Sequence, residues 1–337
     1  MLKKLSYDQV KPFNEFIATK DGKNVKGVWF EDEYQRYYPY GSLACHAIGF
    51  TVSGNVGQGG MEGYYSDELN GTDGREYGYL TQDMTLERTT KPPVNGYNII
   101  STIDANAQSI VEKKINAFMT ETGAKNVSAL VMDPNSGEIL AMANSNSFDL
   151  NEPYEDSAIA YQFNSEDGDV STQIKALSED ERLDCLNKAW RNFIISDGFE
   201  PGSTYKTFTI SGAIEDGALK GDETFFCGGN LKVADTTINC HNHSGHGQVN
   251  IEQSLMQSCN VALMQIAETE GRKTFAKYQE VFGFGKTTHV DLAGEAAGLV
   301  YPEEKLNPVE LATSSFGQGL TVTMMQIGTA FCSVING

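Results

Sequence analysis

The sequence predicts a mixed α/β (α+β) fold in which short antiparallel hairpins are set among helices. Three observations predict it. Apolar residues recur at helical spacing after Asp104. Two short apolar runs flank the turn sequence Asp133-Pro134-Asn135-Ser136-Gly137. Helical spacing returns after Pro201-Gly202 and again after Asn250. With 337 residues the chain is long enough for two domains and a substantial core, and 40% hydrophobic residues mark it as globular.

Taken in order, residues 1–95 read as short strands and turns, with a Gly-rich stretch from Gly54 to Gly63 and a boundary at Pro92-Pro93. Residues 98–103 read as a strand. Asp104 is a good N-cap because its carboxylate can accept the free N–H groups of a first helical turn. Ala107, Ile110, Val111, Ile115, Phe118 and Met119 share one helical face, and Gly123 ends the helix. Residues 127–132 and 139–143 form the two arms of a hairpin. The acidic stretch 149–184 reads as an irregular surface insertion. Residues 227–240 read as a small ribbon turning at Gly228-Gly229 and Ala234-Asp235. Asn250 and Gln253 form a capping box for a helix running to Gln257. Ser258-Cys259-Asn260 interrupts it, and residues 261–267 resume helical character.

The net charge of −20 excludes the basic footprint that a nucleic-acid partner requires. No apolar run is long enough to cross a membrane. Met1-Leu2-Lys3-Lys4-Leu5 lacks the apolar stretch of a signal peptide. Six cysteines, at 45, 185, 227, 240, 259 and 332, are too sparse for a disulfide scaffold. Cys227 and Cys240 with His241, His243 and His246 invite a zinc test, but Cys-x-x-Cys is absent and the spacing matches no structural finger. The expectation there is a loop rich in Gly, Asn and His, with no metal and no cofactor. Gly285-Lys286-Thr287 suggests a phosphate loop, yet Glu280 stands where that pattern needs glycine.

Ser203-Thr204-Tyr205-Lys206 carries the chemistry. A serine and a lysine three apart share one face of a helix. Burial disfavours an ammonium, so a buried Lys206 could shed its proton and accept that of Ser203. The pattern occurs once in the chain, behind Pro201-Gly202 and within an apolar setting. A second constellation, Ser258-Cys259-Asn260, puts a hydroxyl and a carboxamide at a break between helical stretches. The hydroxyl could relay a proton and the amide could hold a substrate backbone. Another Ser-x-Asn, at Ser53-Gly54-Asn55, reads as a structural turn.

Ser-x-x-Lys followed by Ser-x-Asn resembles two-thirds of the signature of penicillin-recognising serine transferases. Glu200-Pro201-Gly202-Ser203-Thr204-Tyr205-Lys206 and Ser258-Cys259-Asn260-Val261-Ala262 are similar to the corresponding words of class B penicillin-binding proteins, the peptidoglycan transpeptidases. Residues 133–143 resemble the first hairpin of their transpeptidase domain, and residues 316–323 the segment before their later strands. Residues 38–44 and 63–65 resemble the end of their extracytoplasmic pedestal. The resemblance covers nearly the whole chain and is of the sporulation and division type.

It implies a penicillin-binding transpeptidase fold: an antiparallel sheet flanked by helices, a helical subdomain, and a partial pedestal. Residues 1–95 would close the pedestal or dimerisation domain, and 96–337 would form a transpeptidase domain lacking its third motif. It implies that Ser203 attacks D-Ala-D-Ala stem peptides, with Lys206 as base, Ser258 relaying a proton and Asn260 holding the donor peptide. β-Lactams would remain on Ser203. Partners would be stem peptides, β-lactams and other membrane proteins of cell-wall synthesis, at the extracytoplasmic face of the membrane, with an N-terminal anchoring helix missing from this chain. No Lys-Thr here is followed by Gly, so residues 1–337 read as a fragment that is crippled alone. A D,D-carboxypeptidase, a β-lactam sensor and a non-catalytic scaffold are the alternatives. Cys240 would pair with Cys259 or with Cys227, or Cys259 would be a small apolar filler.

Overall fold

The helix predicted after Asp104 spans Ala105–Thr122 in the computed structural model, which describes residues 5–28, 30, 35–80 and 86–336. Asp104 Oδ1 accepts the N–H groups of Asn106 and Ala107, both at 2.8 Å, and Gly123 ends the helix in the left-handed conformation. Met1–Arg36 and Tyr37–Gly337 are separate compact units. Within the first, the helix Tyr7–Ile17 opens on a Ser6–Gln9 capping box. Of the amino-terminal residues read for a signal peptide, 1–4 lie outside the described residues.

The second unit is α+β. Its antiparallel hairpin pairs Ser128–Met132 with Ile139–Asn144 around the turn expected at 133–137, with a bulge at Val131/Met132. Fully buried Gln108 finishes the edge of this hairpin. Its side-chain amide donates to Met142 O at 2.9 Å and accepts from Met142 N at 2.8 Å, as a neighbouring strand would. The hairpin packs against Ala105–Thr122, Phe193–Ser196 and Met324–Asn336.

Three readings are corrected. Residues 45–48, 60–64 and 66–70 are short helices rather than strands and turns. Residues 98–103 join no ladder and are tethered instead by isolated bonds such as Thr102 Oγ1 to Ile139 O at 2.8 Å. The acidic stretch 149–184 is not an irregular insertion. It folds into helices, among them Val170–Lys175, and leads into Glu179–Trp190. Ile159, Ile174 and Leu186 there share a buried cluster with Tyr38, Phe50 and Phe148. The acidic residues are the solvated face of amphipathic turns, which hid the buried face in a count of charges.

The helix Asn260–Glu270 is buried nearly all round and forms the centre of the largest apolar cluster among the described residues. It packs against Lys206–Glu215, Pro308–Ser314 and Arg272–Val281. Beside it Thr224–Cys227 pairs antiparallel with Gly247–Asn250, and Asn230–Val233 with Thr236–Asn239 through the turn expected at Ala234-Asp235. These elements bring residues 203–206 and 258–260 together.

Candidate active site

Ser203 lies in the 3-10 turn Gly202–Tyr205, and Lys206 is the first residue of the α-helix that continues it. Gly202 enters the turn with φ 57°, a conformation that glycine adopts without a Cβ penalty. The turn is braced from outside. Gly202 N donates to Gly317 O at 3.0 Å, and a Cβ on Gly317 would stand 2.1 Å from Gly202 O. Gly319 N donates to Glu200 Oε1 at 2.9 Å, and Phe199 pairs with Val322. Residues 316–322 thus press backbone to backbone on the turn that carries Ser203.

The second constellation lies at the junction of Ile251–Met256 and Asn260–Glu270. The Asn250–Gln253 capping box forms as the sequence suggests. Ser258 takes φ 49°, a left-handed conformation costing roughly 1–2 kcal/mol for a residue with a Cβ. That kink turns both its carbonyl and its hydroxyl toward Lys206. Cys259 caps the next helix through Sγ, which accepts from Ala262 N at 3.4 Å, and Asn260 opens that helix.

The four candidates form one hydrogen-bonded chain. Lys206 Nζ donates to Ser258 O at 2.7 Å, Ser258 Oγ at 2.8 Å and Asn260 Oδ1 at 2.8 Å. Ser258 Oγ donates to Ser203 Oγ at 2.8 Å. Three donated bonds are those of an ammonium, which has three N–H groups. Lys206 is only 1% exposed, and burial pulls its ammonium down from 10.5 to about 8. Ser203 therefore meets the lysine through Ser258, a contact that spacing along one helix does not disclose.

Sequence spacing also missed a convergence next to this chain. The donor atoms of Cys227, Cys240, His246 and Cys259 lie within 4.8 Å of one another. Cys240 Sγ is 3.7 Å from His246 Nδ1. None of these cysteines is bridged, so neither the Cys240–Cys259 nor the Cys227–Cys240 pairing is present. Their separations along the chain match no familiar motif, and only the fold gathers them. His241 and His243 are exposed and stand outside the group. Lys286 of the rejected phosphate loop pairs with Glu280 at 2.5 Å.

Comparison with known proteins gives the same reading of the whole. Residues 127–337 match the penicillin binding protein transpeptidase domain, and residues 1–101 match the penicillin-binding protein dimerisation domain. The chain is 31% identical to stage V sporulation protein D of Bacillus subtilis, over 99% of this chain and 49% of that protein. It is 28% identical to peptidoglycan D,D-transpeptidase FtsI of Escherichia coli, over 92% of this chain and 48% of that protein. The chain thus spans about half the length of the curated relatives it matches. Among solved structures, penicillin binding protein 2X of Streptococcus thermophilus superposes with a TM-score of 0.73 at 26% identity, covering 98% of this chain and 46% of that one. Penicillin binding protein 3 of Mycobacterium tuberculosis, complexed with aztreonam, superposes at 0.68 with 28% identity, covering 89% and 58%. A domain match over more than half of the residues, on a fold shared with solved members, establishes that this chain belongs to the class B penicillin-binding proteins.

Proposed function

We propose that the protein crosslinks peptidoglycan as a D,D-transpeptidase, through an acyl ester on Ser203 formed from a D-Ala-D-Ala stem peptide. The observation that carries this reading is the unbroken chain from Ser203 Oγ through Ser258 Oγ to buried Lys206 Nζ and Asn260 Oδ1. With Lys206 protonated, its N–H points along the chain toward Ser258 and the Ser258 O–H toward Ser203. When Lys206 loses one proton, its lone pair reverses both bonds. Ser203 then gives its proton to Ser258 as Ser258 gives its own to Lys206, and Ser203 Oγ attacks the carbonyl carbon of the penultimate D-alanine.

The C–N bond breaks, and the leaving D-alanine amine takes the proton back through Ser258. An amine of a second stem attacks the ester, forms the crosslink and frees Ser203. Asn260 holds Lys206 and the donor peptide. The Ser203 N–H, at its helix start, is one oxyanion donor. β-Lactams enter by the same attack and remain as esters, in keeping with the aztreonam complex of a solved relative.

Residues 1–95 belong to the pedestal or dimerisation domain and 96–337 to the transpeptidase domain. The protein works at the extracytoplasmic face of the membrane, anchored by an N-terminal helix and beside other membrane proteins of cell-wall synthesis. Residues 1–337 contain no Lys-Thr-Gly, and one missing oxyanion donor costs roughly 10²–10³ in rate. Acylation of this stretch alone is therefore expected to be slow. The test is labelling of the whole protein by a fluorescent penicillin, with the adduct mapped by peptide mass. Labelling on Ser203, lost in Ser203→Ala, is expected; an adduct elsewhere, or one that survives the substitution, removes the reading.

A further inference from the structure

We propose that Cys227, Cys240, His246 and Cys259 bind a structural zinc ion directly beneath the second active-site motif. Zinc takes tetrahedral sites of cysteine and histidine, and Cys₃His is one of its regular structural donor sets. Zn–S bonds of about 2.3 Å and Zn–N bonds of about 2.0–2.1 Å put tetrahedral edges at about 3.8 Å between sulfurs and about 3.6 Å between sulfur and nitrogen. Here the sulfur–nitrogen edge Cys240–His246 is 3.7 Å, and all donor atoms fall within 4.8 Å. Sub-ångström side-chain movements close the site.

Its donors come from well-defined backbone. Cys227 ends the strand Thr224–Cys227, His246 precedes the strand Gly247–Asn250 that pairs with it, and Cys259 caps the helix Asn260–Glu270. Cys240 N donates to Gly229 O at 2.9 Å, which fixes the fourth donor. Cys227 and Cys240 are 1% exposed and Cys259 is fully buried. A metal here would be shielded from water on the three thiolate sides, as structural sites are.

Binding Zn²⁺ would release three thiol protons to solvent and leave a centre of net charge −1. A disulfide fits less well. It needs sulfurs about 2.05 Å apart, uses two of three thiols, and leaves the third and the imidazole with no role.

Cys259 lies between Ser258 and Asn260, the two residues whose three acceptor atoms hold Lys206. A metal bound to Cys259 would lock the left-handed kink at Ser258 and with it the whole acceptor set. That consequence for acylation rests on the acyl-serine reading; metal binding does not, and it is measured without any acylation assay.

The test is elemental analysis of the full chain, purified under reducing conditions without chelator and with no histidine tag. About one zinc per chain is expected. Cobalt(II) exchanged into the site should give the intense visible absorption of tetrahedral thiolate coordination. Cys227→Ser and His246→Ala should each lower metal content at least several-fold, while Cys332→Ser should not. Should a variant fail to fold, the stripped wild type decides: chelation should lower its melting temperature and zinc should restore it. Metal-free protein that takes up no cobalt overturns the proposal. So does metal retained in both variants, a melting temperature indifferent to chelation, or a bridge among these cysteines in unreduced peptide maps.

Discussion

Acylation of Ser203 should follow the titration of Lys206, and Lys206→Arg should erase that dependence. Burial lowers the Lys206 ammonium from 10.5 to about 8, which corresponds to about 3 kcal/mol against the charged form. The neutral amine is then about 9% of the protein at pH 7 and about 91% at pH 9, whereas an unshifted lysine at pH 7 would be neutral in about 0.03%. If the neutral amine is the base, the acylation rate constant should rise about tenfold from pH 7 to pH 9 and level off above. Arginine keeps the charge and the N–H donors but does not deprotonate in proteins. Lys206→Arg should therefore acylate roughly 10²–10⁴-fold more slowly, with no rise near pH 8. The assay is stopped-flow or quenched labelling of the whole protein with a fluorescent penicillin, corrected for hydrolysis of the drug at each pH. A flat wild-type profile between pH 7 and 9, or an arginine variant that keeps the rise, would refute the role given to Lys206.

Asn260→Ala removes a carbonyl that accepts from the ammonium. That bond favours the charged form, so its loss should move the rise in acylation to lower pH; a shift to higher pH would contradict the assignment. Gly317→Ala puts a Cβ 2.1 Å from Gly202 O at a residue with φ 82°. It should cost about 2 kcal/mol or more and disturb the Ser203 turn, read as a fall in both melting temperature and acylation rate. An unchanged melting curve would mean that residues 316–322 do not brace the turn. Glu270 is 8% exposed, and among the described residues neither of its carboxylate oxygens has a hydrogen-bond partner. Burial, helped by Asp216, raises its carboxyl from 4.5 to about 8. A raised carboxyl keeps its full stability below pH 4.5, and that stability is lost as pH rises through 8. By pH 7 the loss is about 3 kcal/mol, which Glu270→Gln should recover. Denaturant titrations of both proteins at pH 5 and pH 7 measure it, and parallel behaviour would rule out the titration.

Features set by near neighbours were legible in the sequence. The Asp104 and Asn250 caps, the Gly123 stop, the hairpin turn at 133–137 and the Ser203–Lys206 spacing each involve residues within about one turn of one another. Charge counting misread the stretch 149–184, because acidic residues on one face say nothing of what the other face buries. The family words around Ser203 and Ser258 were readable for the same local reason, since each is a short contiguous run of residues.

The sequence alone picked out the candidate residues for the chemistry and the way many of the local segments turn. Only the tertiary structure decided that Ser203 reaches Lys206 through Ser258, across 55 positions of chain, and that Lys206 is buried, which disfavours its charged form. It also decided that three cysteines and a histidine from separate strands and a helix share one point. The physical reason is that hydrogen bonds within a turn depend on order along the chain. Desolvation and coordination instead depend on what packing brings from elsewhere, which one-dimensional spacing does not encode.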